Sequence, residues 1–271
     1  MSGEEIPLSD GEPSVAGSVL IDGRVHRHTG PWTPALHALL AHLEAKGFDG
    51  APRVVGFDEA GREVLTWVDG EAPVMPWPTW MLTDDALAGL GRLLRRYHDA
   101  VADFRPPPDA QWRRWLGSPG GPIIRHGDLW PSNVVCRGGV PVVLIDWEFA
   151  QPGTVMDDLA SAAKQWVPLL SDQRAAENGW TLPVDRAGRL RLLCDSYGLG
   201  GEERADLLPT VLANSEYGYR SHKTWGEAGV PGFAEMWQQG SGARILGDRD
   251  WLAANRSDLE AAFLSGPGNE R

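Results

Sequence analysis

The chain has 271 residues, 42% of them hydrophobic and 23% charged, with a formal net charge of −12. That length buries a full core, in one large or two small domains. The acidic balance argues against nucleic acid and anionic membrane surfaces as partners; it suits a cationic substrate, and equally serves solubility. Two cysteines, Cys136 and Cys194, make neither a disulfide framework nor a four-ligand zinc site. The N-terminal MSGEEIPLSDGEP has no basic segment or apolar stretch. No apolar run reaches the ~18 residues of a membrane span. The expectation is a cytoplasmic protein.

Residues 1 to 17 are rich in Gly, Pro, Ser and acid, and their start is expected to be mobile. Ser18 to Ile21, then Asp22-Gly23, then Arg24 to His28 reads as a hairpin on an Asp-Gly turn. Thr33-Pro34 predicts a helix, with Thr33 as N-cap and Pro34 at its first position. Leu36, Leu39, Leu40 and Leu43 form its apolar face, and Gly47 ends it. Arg53 to Phe57 and Glu63 to Trp67 predict two more strands around Asp58 to Gly61, and Val68 to Glu71 breaks the second.

From Pro73 the pattern turns helical. Thr83 caps a helix with Asp84 and Asp85 in its first turn, where the dipole favours negative charge. Leu87, Leu90, Leu94, Tyr97 and Val101 supply the buried stripe. Further helices are predicted over about Asp157 to Trp166, Arg186 to Tyr197, Pro209 to Trp225, and as a pair within Asp250 to Leu264. About seven C-terminal residues read as disordered.

The chemistry concentrates between Ile123 and Ala160, in IIRHGDLWPSNVVCRGGVPVVLIDWEFAQPGTVMDDLA. Val134 to Cys136 and Val140 to Ile145 read as the strands of a hairpin turning at Arg137-Gly138-Gly139. A hairpin returns the chain to its start, so Asp146 comes back beside Asn133. A carboxylate and an amide oxygen then face one Mg²⁺, a hard cation that takes oxygen ligands and keeps some waters. Asp128 stands nearby to accept a hydroxyl proton. His-Gly-Asp with Asn five residues after the Asp is the spacing of a kinase catalytic loop.

This stretch resembles the catalytic loop of the aminoglycoside phosphotransferase (phosphotransferase enzyme) family. HGDLWPSNVV, IDWEFA and DDLA are also similar to its short, trifolitoxin-immunity-like bacterial members. The resemblance implies an α+β, protein-kinase-like two-lobe fold: a reduced β-rich nucleotide-binding lobe over residues 1–67 and a mostly helical catalytic lobe over 68–271. It implies ATP or GTP and Mg²⁺ as cofactors, with backbone contacts to the base at Thr66, Trp67 and Val68. It makes His126 a brace of the catalytic loop and Asp158 a support for that loop's backbone. Glu148 either holds a metal-bound water or is solvated. Family precedents for the acceptor are aminoglycosides, as in antibiotic resistance, macrolides, choline-like alcohols and sugars.

Two features depart from the family, and two more argue against a protein kinase. The only lysines are 46, 164 and 223, so the phosphate-gripping lysine of the third strand is absent. Arg27 is the best-placed substitute and Arg24 the second, with Glu44 or His37 as the helix partner. The first loop, Asp10 to Gly17, lacks a G-x-G-x-x-G pattern, although Ser14 and Ser18 are able to donate to phosphate. Trp130 replaces the catalytic-loop lysine of serine/threonine kinases, and the short interval from Asp146 to Asp158 leaves little room for a peptide-binding segment. The expected acceptor is therefore a small hydroxyl compound. An acidic, aromatic pocket of Trp130, Asp157 and Glu216 would suit a cationic one. On α-helical spacing Glu216, Tyr219 and Lys223 share one face, and Tyr217 and Arg220 a neighbouring one. The alternative is a non-catalytic nucleotide- or toxin-binding protein on the same fold.

Overall fold

The computed structural model describes residues 4–8 and 17–265. Most of the expected first loop, Ser14 included, and the tail after Ser265 lie outside the described residues. The N-terminal region is a five-stranded antiparallel sheet of β1 (Ile6–Pro7), β2 (Val19–Ile21), β3 (Arg24–Arg27), β4 (Val54–Phe57) and β5 (Glu63–Thr66), in the order β1-β2-β3-β5-β4. Asp22 and Gly23 both take positive φ, 47° and 71°. That matches the two-residue turn whose twist suits a hairpin. β5 lies between β3 and β4, and the register sets Arg27 opposite Glu63. Directly opposed residues share a face of the sheet, so the strand order itself pairs the buried arginine with an acid.

Helix α1 (Thr33–Ala45) buries Leu36, Leu39, Leu40 and Leu43 as its spacing requires. Its cap differs from expectation. Trp32 occupies the N-cap without a side-chain bond, and the Thr33 hydroxyl instead accepts the Gly30 N–H at 2.9 Å. A tight turn ahead of the helix has taken the oxygen. Helix α2 (Asp84–Val101) is capped by Thr83, whose hydroxyl accepts from the Ala86 N–H. Its stripe from Leu87 to Val101 is buried, and the Tyr97 hydroxyl donates to the Ile124 carbonyl at 2.6 Å.

Four short strands follow: β6 (Ile123–Arg125), β7 (Val134–Arg137), β8 (Val140–Leu144) and β9 (Gln151–Gly153). Then come α3 (Val155–Trp166), α4 (Asp172–Glu177), α5 (Arg186–Tyr197), α6 (Leu207–Glu227), α7 (Phe233–Gln238) and α8 (Ser241–Leu264). The expected C-terminal pair is one 24-residue helix, α8. Its low-propensity Gly242 and Gly247 are overridden by packing along α5 and α6. Cys136 and Cys194 are free and buried. No helix among the described residues is long and apolar enough to cross a membrane.

Candidate active site

Two ladders assemble the site. β6 pairs with β9 and β7 with β8, so the loop His126–Asn133 and the loop Ile145–Ala150 are drawn together from both ends. The Ile145 N–H donates to the Asn133 carbonyl at 2.9 Å, which seats Asp146 beside Asn133. Gly127 has φ +83°, and a Cβ there would lie 2.3 Å from the Phe149 carbonyl oxygen. Only glycine lets the two loops approach this closely.

His126 is fully buried and stands edge-on to Trp147, with centroids 4.6 Å apart. Burial holds its pKa below the ordinary imidazole value, so the ring is neutral at pH 7. Its Nε2–H donates to the Ile145 carbonyl at 3.0 Å, which leaves Nδ1 facing the Asp128 N–H at 3.4 Å. Asp158 is fully buried on α3. One oxygen accepts the His126 N–H at 2.8 Å and meets His98 Nε2 at 3.1 Å, and the other accepts the Gly127 N–H at 2.9 Å. Burial works to raise the Asp158 pKa, but the bond from His98 and its charge outweigh it and the net shift is down. A carboxylate thus holds the backbone on both sides of the loop's start.

Asp128 is half-buried on a cavity of about 1020 Å³. Burial, then the charge of Asp146, pushes its pKa up to about 7. Asn133 spends its amide nitrogen on the Asp128 carbonyl at 3.1 Å, leaving Oδ1 as the atom able to ligate a cation. Asp146 sits in the left-handed region, φ 57°, a conformation aspartate tolerates better than most residues. Its Oδ1 accepts from Arg27 Nη1 at 3.1 Å. Asn133 Oδ1 and Asp146 Oδ2 are hard oxygen donors on adjacent loops, and both residues line the cavity. No group of three or more His, Cys, Asp or Glu able to hold a metal occurs among the described residues. A two-ligand oxygen site suits Mg²⁺, which fills its shell from water and substrate phosphates.

Arg27 is buried, not an exposed strand arginine. Its partner is neither Glu44 nor His37. Arg27 Nε donates to Glu63 Oε1 at 2.5 Å, and His37 Nε2 meets the other Glu63 oxygen at 3.0 Å. Glu44 pairs with Arg53. Burial opposes the charge on Arg27, but Glu63 and Asp146 outweigh it and raise its pKa. Arg24 is exposed. Glu63 was not legible as a site residue; the one available signal was its place at the head of a strand.

Arg27, Thr66, Trp67 and Val68 line the same cavity as Asp128 and Asp146. Glu148 also lines it, and it is not solvated: it is buried and ion-paired with Arg113, whose guanidinium lies 4.8 Å from the Phe149 ring centroid. Burial, then Asp146, raises the Glu148 pKa.

The expected cationic-acceptor pocket does not assemble. Trp130 lines the cavity, edge-on to Trp77. Asp157 is buried in the capping box of α3, where one oxygen accepts the N–H and hydroxyl of Thr154, both at 2.8 Å. Its other oxygen lies 3.7 Å from Arg125. Glu216 pairs with Arg249 at 3.0 Å, and the residues of α6 that line the cavity are Val211, Asn214, Ser215, Tyr217, Gly218 and His222. The Glu216–Tyr219–Lys223 face is the wrong one, because packing of α6 on α3 and α8 fixes its rotation.

A strand-rich lobe, a helical lobe and this paired-loop site between them define a protein-kinase-like phosphotransferase fold. Residues 108–191 match the phosphotransferase enzyme family. The trifolitoxin immunity protein of Rhizobium leguminosarum bv. trifolii is 38% identical over 254 residues, 89% of this chain and 92% of that protein. The chain belongs to the phosphotransferase enzyme family. Among solved structures, a choline/ethanolamine kinase family protein from Mesorhizobium loti superposes with a TM-score of 0.61 at 13% identity, covering 97% of this chain and 93% of that one. A microcompartment-associated aminopropanol kinase gives 0.59 at 15% identity, covering 97% and 94%.

Proposed function

We propose that the chain is a cytoplasmic, Mg²⁺-dependent phosphotransferase that moves the γ-phosphoryl group of ATP or GTP to a hydroxyl of a small molecule. The observation that carries this reading is the convergence of Asp128, Asn133 and Asp146 on one cavity that also meets Arg27 and the Thr66–Val68 segment. The lobe boundary falls at Trp67–Val68, just after β5. The acceptor oxygen bonds to the γ-phosphorus, the bond from phosphorus to the β-γ bridging oxygen breaks, and the hydroxyl proton passes to Asp128. Phosphoryl transfer needs little covalent help from a protein, so positioning and charge stabilisation dominate.

Asn133 and Asp146 would hold Mg²⁺, which when bound neutralises phosphate charge. Asp158 and His126 position the loop that carries Asp128. Arg27, fixed by Glu63, takes the place of the missing strand lysine, with a planar fork where lysine offers a point charge. The test is a screen of Mg²⁺-dependent nucleotide turnover against hydroxyl compounds. Turnover is expected with at least one acceptor, and Asp146→Asn should weaken Mg-nucleotide binding with the fold intact. Unchanged Mg-ATP affinity in that variant removes Asp146 from the site.

A second reading is a non-catalytic binding or immunity protein. It is favoured by the name of the 38% identical relative and by the engagement of Arg27 with two carboxylates, which spends part of the charge a phosphate would use. Nucleotide binding without turnover of any acceptor selects it.

A further inference from the structure

The far end of the cavity is built by helices. Lys164 and Gln165 come from α3, Asn214 and His222 from α6, Arg244 and Asp248 from α8. α3 sets how far this end lies from Asp128. The Ser161 hydroxyl accepts the N–H of Leu129, the residue after Asp128, at 3.2 Å. Lys164 follows Ser161 by about one turn, ~5 Å along the axis. A small molecule with its hydroxyl at Asp128 therefore reaches Lys164 with its other end.

The cavity is polarised. At the loop end Arg27 offsets Asp146 and Arg113 offsets Glu148, which leaves Asp128 as the unpaired acid. At the helical end Arg174 and Asp248 form an ion pair and offset each other. Glu177 lies exposed on α4, bonded to Gln173. Arg244 donates to the Gln239 carbonyl at 2.5 Å and pairs with no carboxylate among the described residues. The Lys164 ammonium makes no hydrogen bond or ion pair among the described residues; burial pulls its pKa down, against the nearby charge of Asp248. His222, held neutral at a pKa of about 4 by burial and by Lys164 and Arg244, adds no charge; its Nδ1 meets the Ser241 hydroxyl.

A desolvated polar atom without a partner is costly, and an unpaired desolvated ammonium more so. A ligand that supplied a negative group to Lys164 would relieve that cost.

We propose that the acceptor is anionic: a small hydroxylated compound whose carboxylate or phosphate group is held by Lys164. This rests on the phosphotransferase reading for the fate of the hydroxyl, but not for the binding of the anion. The cations and the acids of the cavity then hold the two ends of one molecule apart, which orients the hydroxyl toward Asp128.

The experiment uses the full chain without nucleotide. Binding of gluconate, glycerol 3-phosphate, choline and glucose is measured by calorimetry and thermal shift, and Mg-ATP binding is measured separately. At least one of the two anions should bind more tightly than choline and glucose, and which one identifies the anionic group. Lys164→Met should weaken that anion about tenfold or more, the usual loss for a charge-assisted bond. Lys164→Arg should retain part of the affinity, and Mg-ATP affinity should be unchanged in both. Should Lys164→Met fail to fold, Arg244→Ala gives the same comparison with a smaller loss. Equal or tighter binding of choline or glucose, binding of neither anion, or a Lys164→Met variant that loses Mg-ATP instead of the anion each overturn the proposal. If the anion binds and Mg-ATP does not, the phosphotransferase reading falls and the anion site stands.

Discussion

The catalytic loops and the helical wall opposite them are both rich in polar groups, but in opposite states of satisfaction. Asp158 meets three nitrogens, both nitrogens of His126 are engaged, and Arg27 has two carboxylates. On the wall, the Lys164 ammonium has no hydrogen-bond or ion-pair partner among the described residues. The difference separates two kinds of polar group. Groups that bond to each other fix a geometry. Groups that stay unpaired at a desolvation cost mark where a ligand contributes the missing half. Substitutions in the loops should therefore alter turnover or stability, while substitutions in the wall should alter acceptor affinity alone.

The largest expected effect is on Asp128. Asp128→Ala should lower kcat by about 10²- to 10⁴-fold while nucleotide still binds, because the base acts on the acceptor. A kcat near that of the parent protein would remove Asp128 from the chemistry and blur the contrast between loop and wall. Asp158→Asn comes next and reads out as stability. It sets an amide N–H₂ against backbone N–H donors in a buried site and should cost about 3 kcal/mol in denaturant unfolding. The pH dependence sharpens this. The Asp158 pKa is lower folded than unfolded, so its contribution is present above the unfolded carboxylate value near 4 and is lost as pH falls through the folded value. A variant as stable as the parent protein at pH 7 would show that the loop does not lean on this carboxylate.

Arg27 gives a smaller effect. Arg27→Ala should raise nucleotide KM and lower kcat by about tenfold together, and Arg27→Lys should recover part of both. Parent-like kinetics in both variants would leave Arg27 as a structural partner of Glu63 only. The smallest effect is a displacement in pH. Asp128 accepts a proton only when ionised, and its pKa stands at about 7, so kcat/KM should decline as pH falls through neutrality. Part of that elevation comes from the charge of Asp146, so Asp146→Asn should move the limb to lower pH in whatever residual activity remains. A limb that stays in place would assign the elevation to burial alone.

What the sequence determined by itself is the stretch from Ile123 to Ala160. Asp128, Asn133 and Asp146 belong to a loop and a hairpin contiguous in the chain, and hairpin geometry brings Asn133 and Asp146 together whatever the rest does. Helices α1 and α2 were legible for a related reason, since their apolar spacing depends on one period. Other features required the tertiary structure. Glu63 faces Arg27 only because β5 inserts between β3 and β4, a pairing across 36 positions that no local pattern encodes. The local pattern left Asp157 free to face substrate, but Thr154 claims it for a cap. On α6 the period defines faces but not which one meets the cleft. Packing turned Asn214 and His222 to the cavity and left Glu216 to Arg249. The helical wall gathers residues from several helices, so its charge was hidden in a chain that is acidic overall. Burial and proximity, not composition, decide the local field.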